Sequence, residues 1–173
     1  VGSWLFNFIK SFIYRKEDIN LWSLGIGKHN GFSSNNSRGS NFKIISSSIE
    51  ITKYTNSLGY LNIVISNQPD VARGFLNKID LDNMTKKLFG KLTIDDVFYC
   101  LHDDHDMCKC RKPLPGLILF AKEKWDIDLS KSIMIGDTEK DYFAAKNSNV
   151  EFYLLKNIYI KNFLWNPIFR EIQ

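Results

Sequence analysis

The sequence predicts an α/β fold, a three-layer sandwich whose parallel sheet carries helices on both faces. Two observations predict it. From residue 45 onward, short apolar runs alternate with helix-like segments, the βαβα order that builds a parallel sheet. Polar clusters follow directly after several of those runs, where sheets of this kind bind their ligands. A third observation, three cysteines and a histidine within eleven residues, adds a metal-binding loop to that sheet.

The elements follow in order. Residues 1–14 are apolar apart from interruptions such as Asn7 and Lys10, and read as a buried first strand. They are too short to span a bilayer and lack the basic start and small-residue cleavage site of a signal peptide. Residues 25–40, rich in Gly, Ser and Asn, read as a long loop. Gly25, Gly27 and Gly31 within it do not have dinucleotide-fingerprint spacing, and no helix former follows. A helix is expected over 46–58 with Gly59 as its stop, then a strand over 61–66 (LNIVIS), a short apolar run rich in β-branched residues. A helix over 80–89 ending at Gly90 precedes a strand over 95–101. Pro115 opens a helix to residue 125, since proline at the first helical position costs little. A strand over 132–135, a helix over 139–147, a strand over 151–155 and a helical, aromatic tail over 158–173 complete the chain. One domain is expected, divergent over 1–41, with its core over 42–155 and its tail over 156–173; 173 residues suffice for one sizeable core.

Composition excludes some function classes. A net charge of +4, from 23 basic and 19 acidic residues, is too mild and too scattered for a nucleic-acid partner. No apolar run is long enough for a transmembrane helix, so no membrane partner is expected. Three cysteines without a secretion signal argue for metal over a disulfide framework. The expected compartment is the cytoplasm and the expected state a monomer. The first residue is Val1, from which a trimmed or longer parent chain is expected.

The chemistry gathers at the predicted strand ends. Cys100, His102, Cys108 and Cys110 form C-x-H-x5-C-x-C, the Cys3His donor set of a closed tetrahedral zinc site. Four protein ligands leave no position for an activated water, so this zinc is structural. His105 is a spare, exposed residue of the same loop. Arg111 and Lys112 follow the last ligand, and a folded loop would hold both cations at the mouth of the sheet. There, Arg binds phosphate bidentately and Lys neutralises its charge. Asp137, after Gly136 at a strand end, is a candidate Mg2+ ligand. Asp141 is either a carboxylate behind that metal or a helix N-terminal cap. Ser66 offers a hydroxyl after the LNIVIS strand, and Asn67 and Gln68 offer amides for phosphate oxygens.

Three segments together resemble the zinc-containing phosphatases of the haloacid dehalogenase (HAD) superfamily, subfamily IIIA: residues 65–74 (ISNQPDVARG), 100–113 (CLHDDHDMCKCRKP) and 135–141 (IGDTEKD). That group includes the D-glycero-D-manno-heptose 1,7-bisphosphate phosphatases and the histidinol-phosphate phosphatases. VARG leans to the heptose branch; the short zinc spacer is shared with the histidinol branch. The resemblance implies a capless, Rossmann-like HAD domain that hydrolyses a phosphomonoester of a small phosphorylated sugar. It implies an aspartate nucleophile after the first strand, a second aspartate two residues on as general acid and base, and Mg2+ held by the residue matching Asp137. Ser66 and Lys112 match the family's phosphoryl-binding hydroxyl and charge-stabilising lysine, and Arg111 its substrate-recognition arginine.

The first motif of that family, D-x-D-G-x-x-N, has no counterpart upstream of Ser66. The best gapless match, residues 12–20, puts Tyr14 at the nucleophile and Lys16 at the acid/base position, with Glu17 and Asp18 off both. The expectation is therefore a phosphatase impaired in its nucleophile. The alternatives are a phosphate-binding or scaffolding pseudoenzyme, a decayed or mis-translated gene, or a longer parent that supplies the motif.

Overall fold

The computed structural model describes residues 10–15, 44, 46–57, 59–136 and 138–154, with backbone alone at 10–15, 46–47 and 154. Ten principal elements run in the order β1 (Lys10–Arg15), α1 (Ser46–Ser57), β2 (Tyr60–Asn67), α2 (Pro69–Ala72), α3 (Lys78–Phe89), β3 (Asp96–Cys100), α4 (Gly116–Trp125), β4 (Ile133–Gly136), α5 (Glu139–Lys146) and β5 (Glu151–Leu154). All strand pairings are parallel, in the order β3-β2-β1-β4-β5.

That order reverses at β1. The chain steps outward to β2 and β3, then returns to place β4 on the other side of β1. Such a switch point opens a crevice at the carboxyl ends of the strands. The expected first strand is thus the centre of the sheet, over Lys10–Arg15. The rest of its predicted span, the loop over 25–40 and the tail over 158–173 lie outside the described residues.

The sheet is covered on both faces, which is why its strands read as apolar runs rather than alternating ones. Ile63, Val64 and Ile65 are all fully buried. Their side chains alternate between two cores, as the two-residue period of a strand requires. Val64, Ile133 and Ile135 pack with Ile51 of α1 and with Leu81, Met84 and Leu88 of α3. Ile63, Ile65 and Met134 pack with Leu117, Ile118 and Ala121 of α4 and with Ala144 and Ala145 of α5. These are the three predicted layers.

Boundaries shift by local chemistry. α3 begins at Lys78, two residues before the expected start, because Asn77 Oδ1 accepts from Asp80 N at 2.8 Å as a side-chain cap. Gly59 stops α1 at φ +79°, as glycine readily does. Pro115 caps α4 rather than opening it. α2 was not expected; Pro69 sits at its first position, where the missing N–H costs nothing.

At the amino end of β2, buried Asn62 ties three segments together. Its Oδ1 accepts from Thr55 Oγ1 at 2.6 Å, and its Nδ2 donates to Thr52 O and Thr93 O at 2.8 Å each. Asp95 Oδ2 accepts from Asn62 N at 2.7 Å. Substituting Asn62→Ala removes the acceptor of Thr55 Oγ1 and the donor to Thr52 O and Thr93 O, so a loss of about 2–3 kcal/mol is expected in urea unfolding.

Candidate functional site

Two structures meet at the carboxyl edge of the sheet: a cysteine cluster after β3 and a buried lysine beside it. β3 delivers Cys100, fully buried, and the chain then turns back through a 3-10 turn at Asp104–Asp106. That turn is closed by a reciprocal capping box, with Asp103 accepting from Asp104 N and donating its own N–H to Asp106. The turn brings Cys108 and Cys110 back against Cys100 and His102. Gly116 makes room for this return; a Cβ there would stand 2.3 Å from Lys109 O.

The four ligand atoms lie within 4.8 Å of one another. Cys110 Sγ is 3.2 Å from Cys100 Sγ and 3.3 Å from His102 Nδ1, and Cys100 and Cys108 sulfurs are 3.6 Å apart. A disulfide needs about 2.05 Å, whereas a tetrahedron with Zn–S bonds of about 2.3 Å has edges of about 3.8 Å. The donor set and spacing fit zinc. Burial pushes the Cys100 thiol up to about 12, and burial raises Cys110 as well. Burial also acts to raise Cys108, but the N–H of Arg111 and the neighbouring thiols outweigh it and lower this thiol. His105 is exposed, as expected of a spare residue.

Lys112 follows the cluster and is only 1% exposed. Its Nζ donates to Ile65 O at 3.0 Å and stands 3.1 Å from Asp141 Oδ1. Its backbone is clamped by the Asn67 carboxamide, which donates to Lys112 O and accepts from Lys112 N, both at 3.1 Å. Asn67, expected to face phosphate oxygens, thus braces the lysine. Asp141 in turn accepts from Thr138 N at 3.1 Å and Thr138 Oγ1 at 2.8 Å, the capping box that starts α5. Gly136 permits this approach, since a Cβ there would meet Asp141 Cβ at 2.5 Å. Ser66 is 4% exposed, and its hydroxyl accepts from Gln68 Nε2 at 2.7 Å.

A cavity of about 310 Å³ opens over Lys112, lined also by Asp103, Asp104, Arg111, Leu114 and Lys140. Arg111 Nε donates to Asp104 Oδ1 at 2.7 Å and its Nη1 to His102 O at 3.1 Å. Arg73 grips Asp103, donating from Nε at 2.7 Å and from Nη2 at 2.5 Å. That grip holds the Asp103 carboxyl at about 2, and hydrogen bonding to Arg111 lowers Asp104. Nothing in the sequence pattern announces these pairs, nor Lys140 on the cavity wall. Asp137 and Lys16 lie outside the described residues. Tyr14 lies within β1, where only the backbone is described; it pairs with Val64 and Ile135, two residues short of Ser66 and of Asp137.

The family model of the haloacid dehalogenase-like hydrolases matches residues 33–155, most of the chain. The chain belongs to this family. Among curated relatives, a Helicobacter pylori (strain J99) D-glycero-beta-D-manno-heptose-1,7-bisphosphate 7-phosphatase is 38% identical over 112 residues, 61% of this chain and 64% of its own length. A Campylobacter jejuni D-glycero-alpha-D-manno-heptose-1,7-bisphosphate 7-phosphatase is 34% identical over 122 residues, 67% of this chain and 69% of its own. The chain therefore spans a little under two thirds of the Helicobacter relative's length. Among solved structures, the D,D-heptose 1,7-bisphosphate phosphatase from B. bronchiseptica complexed with magnesium and phosphate superposes with a TM-score of 0.69. It is 22% identical and covers 84% of this chain and 80% of its own. This likeness shows the HAD fold, in agreement with the predicted parallel three-layer architecture. Among the described residues, no helix is long and apolar enough to cross a membrane.

Proposed function

We propose that this chain binds the phosphate of a small sugar phosphate of the heptose 1,7-bisphosphate kind in a HAD phosphatase site that is impaired in hydrolysis. The observation that carries the reading is Lys112. A buried ammonium fixed by Asp141, Ile65 O and the Asn67 clamp, under a cavity that also holds Arg111, is a preorganised counter-charge for a phosphoryl group. Ser66 at the end of β2 supplies a hydroxyl for the same group. The relatives' names support a phosphorylated sugar as ligand.

Zinc fits Cys100, His102, Cys108 and Cys110, and its part is structural: it fixes the loop from which Arg111 and Lys112 project. Magnesium fits less well. Asp137 would be its strand-end ligand, but in the register read from the sequence Tyr14 and Lys16 occupy the positions of the two carboxylates. Asp141 is committed to Lys112 and Thr138. Lys112 and Arg111 bind and orient the phosphate, and with Tyr14 at the nucleophile position no aspartyl-phosphate forms. A monomer in the cytoplasm accords with this reading.

The test is phosphate release from heptose 1,7-bisphosphate and from histidinol phosphate with Mg2+. The unmodified chain is expected to release none, while Tyr14→Asp combined with Lys16→Asp gains turnover. Turnover by the unmodified chain that Asp137→Asn abolishes would overturn the reading, and would mean that an acid such as Asp18 reaches the site.

A further inference from the structure

Arg111 is paired in this structure in a manner that bears on how the site takes an anion. Its guanidinium has two kinds of partner. Nη1 donates to the backbone carbonyl of His102, a fixed acceptor of the cysteine loop. Nε donates to Asp104, whose side chain is 61% exposed and which also stands 3.7 Å from Arg73. The two contacts differ in kind. The carbonyl positions the arginine without changing its charge, whereas the carboxylate cancels it.

The charges around the cavity make that cancellation matter. Lys112 is balanced by Asp141, and Asp103 is held bidentately by Arg73. Of the remaining lining charges, Arg111 and Lys140 are positive and Asp104 is negative. Asp104 thus removes half of the positive charge an entering anion would meet. An ion pair with so exposed a partner is weak and exchanges readily, while a guanidinium binds phosphate through a two-pronged, charge-assisted contact.

We propose that Asp104 is a built-in counter-ion to Arg111 that an entering phosphate displaces, so that it weakens anion binding at this site. The inference rests on the phosphate-binding reading above. Asp104 acts through Arg111 and is not itself a ligand of the anion. The His102 carbonyl keeps the guanidinium in place when Asp104 lets go. Because Arg73 holds Asp103 through two hydrogen bonds and also stands 3.7 Å from Asp104, the loop stays tied to Arg73 when Arg111 is released.

The test is isothermal titration with inorganic phosphate, at two salt concentrations, on the zinc-loaded protein and on Asp104→Asn, Asp104→Glu and Lys112→Met. An asparagine can still accept the Arg111 Nε hydrogen, so it removes charge and keeps position. Asp104→Asn is expected to bind phosphate roughly fivefold more tightly, with a steeper loss of affinity on adding salt. Asp104→Glu, which keeps the charge, is expected to bind as the unmodified chain does. Equal or weaker binding by Asp104→Asn, where the unmodified chain binds and Lys112→Met does not, overturns the counter-ion role alone and leaves the phosphate site standing. Absence of phosphate binding in the unmodified chain and in Asp104→Asn overturns both.

Discussion

Stripping zinc from the cysteine loop is expected to lower the melting temperature by more than about 10 °C and to abolish phosphate binding, whereas leaving the strand core intact by circular dichroism. The cluster explains the size of the effect. Without metal, Cys100 is a buried thiol pushed up to about 12, so at neutral pH it is protonated and offers its neighbours only weak sulfur hydrogen bonds. Zinc would replace these with four bonds to thiolate and imidazole. In small zinc peptides that binding contributes about 10–16 kcal/mol. Here β3 and the clamp on Lys112 preform part of the site, so a loss of several kcal/mol is expected. Cys110→Ser, which removes the sulfur standing 3.2 Å from Cys100 and 3.3 Å from His102, should reproduce most of it. The sign with pH follows from the ligands: each bound thiol gives up a proton, so zinc affinity falls as pH falls. Titration with a chromogenic chelator at pH 7.5 and 6.0 measures this. A melting temperature indifferent to chelation would remove zinc from the account.

The cluster was legible in the sequence because its geometry is local. All four ligands fall within eleven residues, and one strand end plus one turn suffices to gather them. The sheet was legible for a similar reason: LNIVIS has the composition of a strand buried on both faces, and Ile63, Val64 and Ile65 are buried on both faces. What could not be read was pairing between distant segments. Lys112 was identified as a cation for phosphate, but not as one of the most deeply buried large side chains, because nothing near it in sequence announces Asp141 as its partner. Asn67 was assigned to the ligand, yet its amide serves the Lys112 backbone; an amide's partner depends on which chain segment passes it. Asp103 and Asp104 looked like spacer between ligands. Only the fold brings Arg73, from the turn after α2, across to meet them.

The Lys112–Asp141 pair separates stability from function. Asp141→Ala is expected to cost about 3–5 kcal/mol, because it removes the carboxylate that stands 3.1 Å from a buried ammonium. It also removes the acceptor for Thr138 N and Oγ1, adding about 1 kcal/mol for the lost cap. Lys112→Met removes the cation and leaves a buried carboxylate, so it too is destabilising. The double variant Lys112→Met with Asp141→Asn carries no buried charge at this point, keeps the volume, and retains an acceptor for Thr138. A buried ion pair replaced as a unit by groups of similar size is often neutral, so the double variant should be more stable than Lys112→Met alone and than Asp141→Asn alone, the two single variants that close the cycle. The cycle should show a coupling of about 2–3 kcal/mol in urea unfolding. Phosphate affinity should not follow stability: the double variant, though recovered in folding, still lacks Nζ and should not bind. If it binds phosphate as the unmodified chain does, Lys112 is a structural lysine and the counter-charge lies elsewhere in the cavity. If instead stability alone returns, the buried pair has been kept at a cost to folding because an ammonium is needed under the cavity, and that need is the chemistry of an anion.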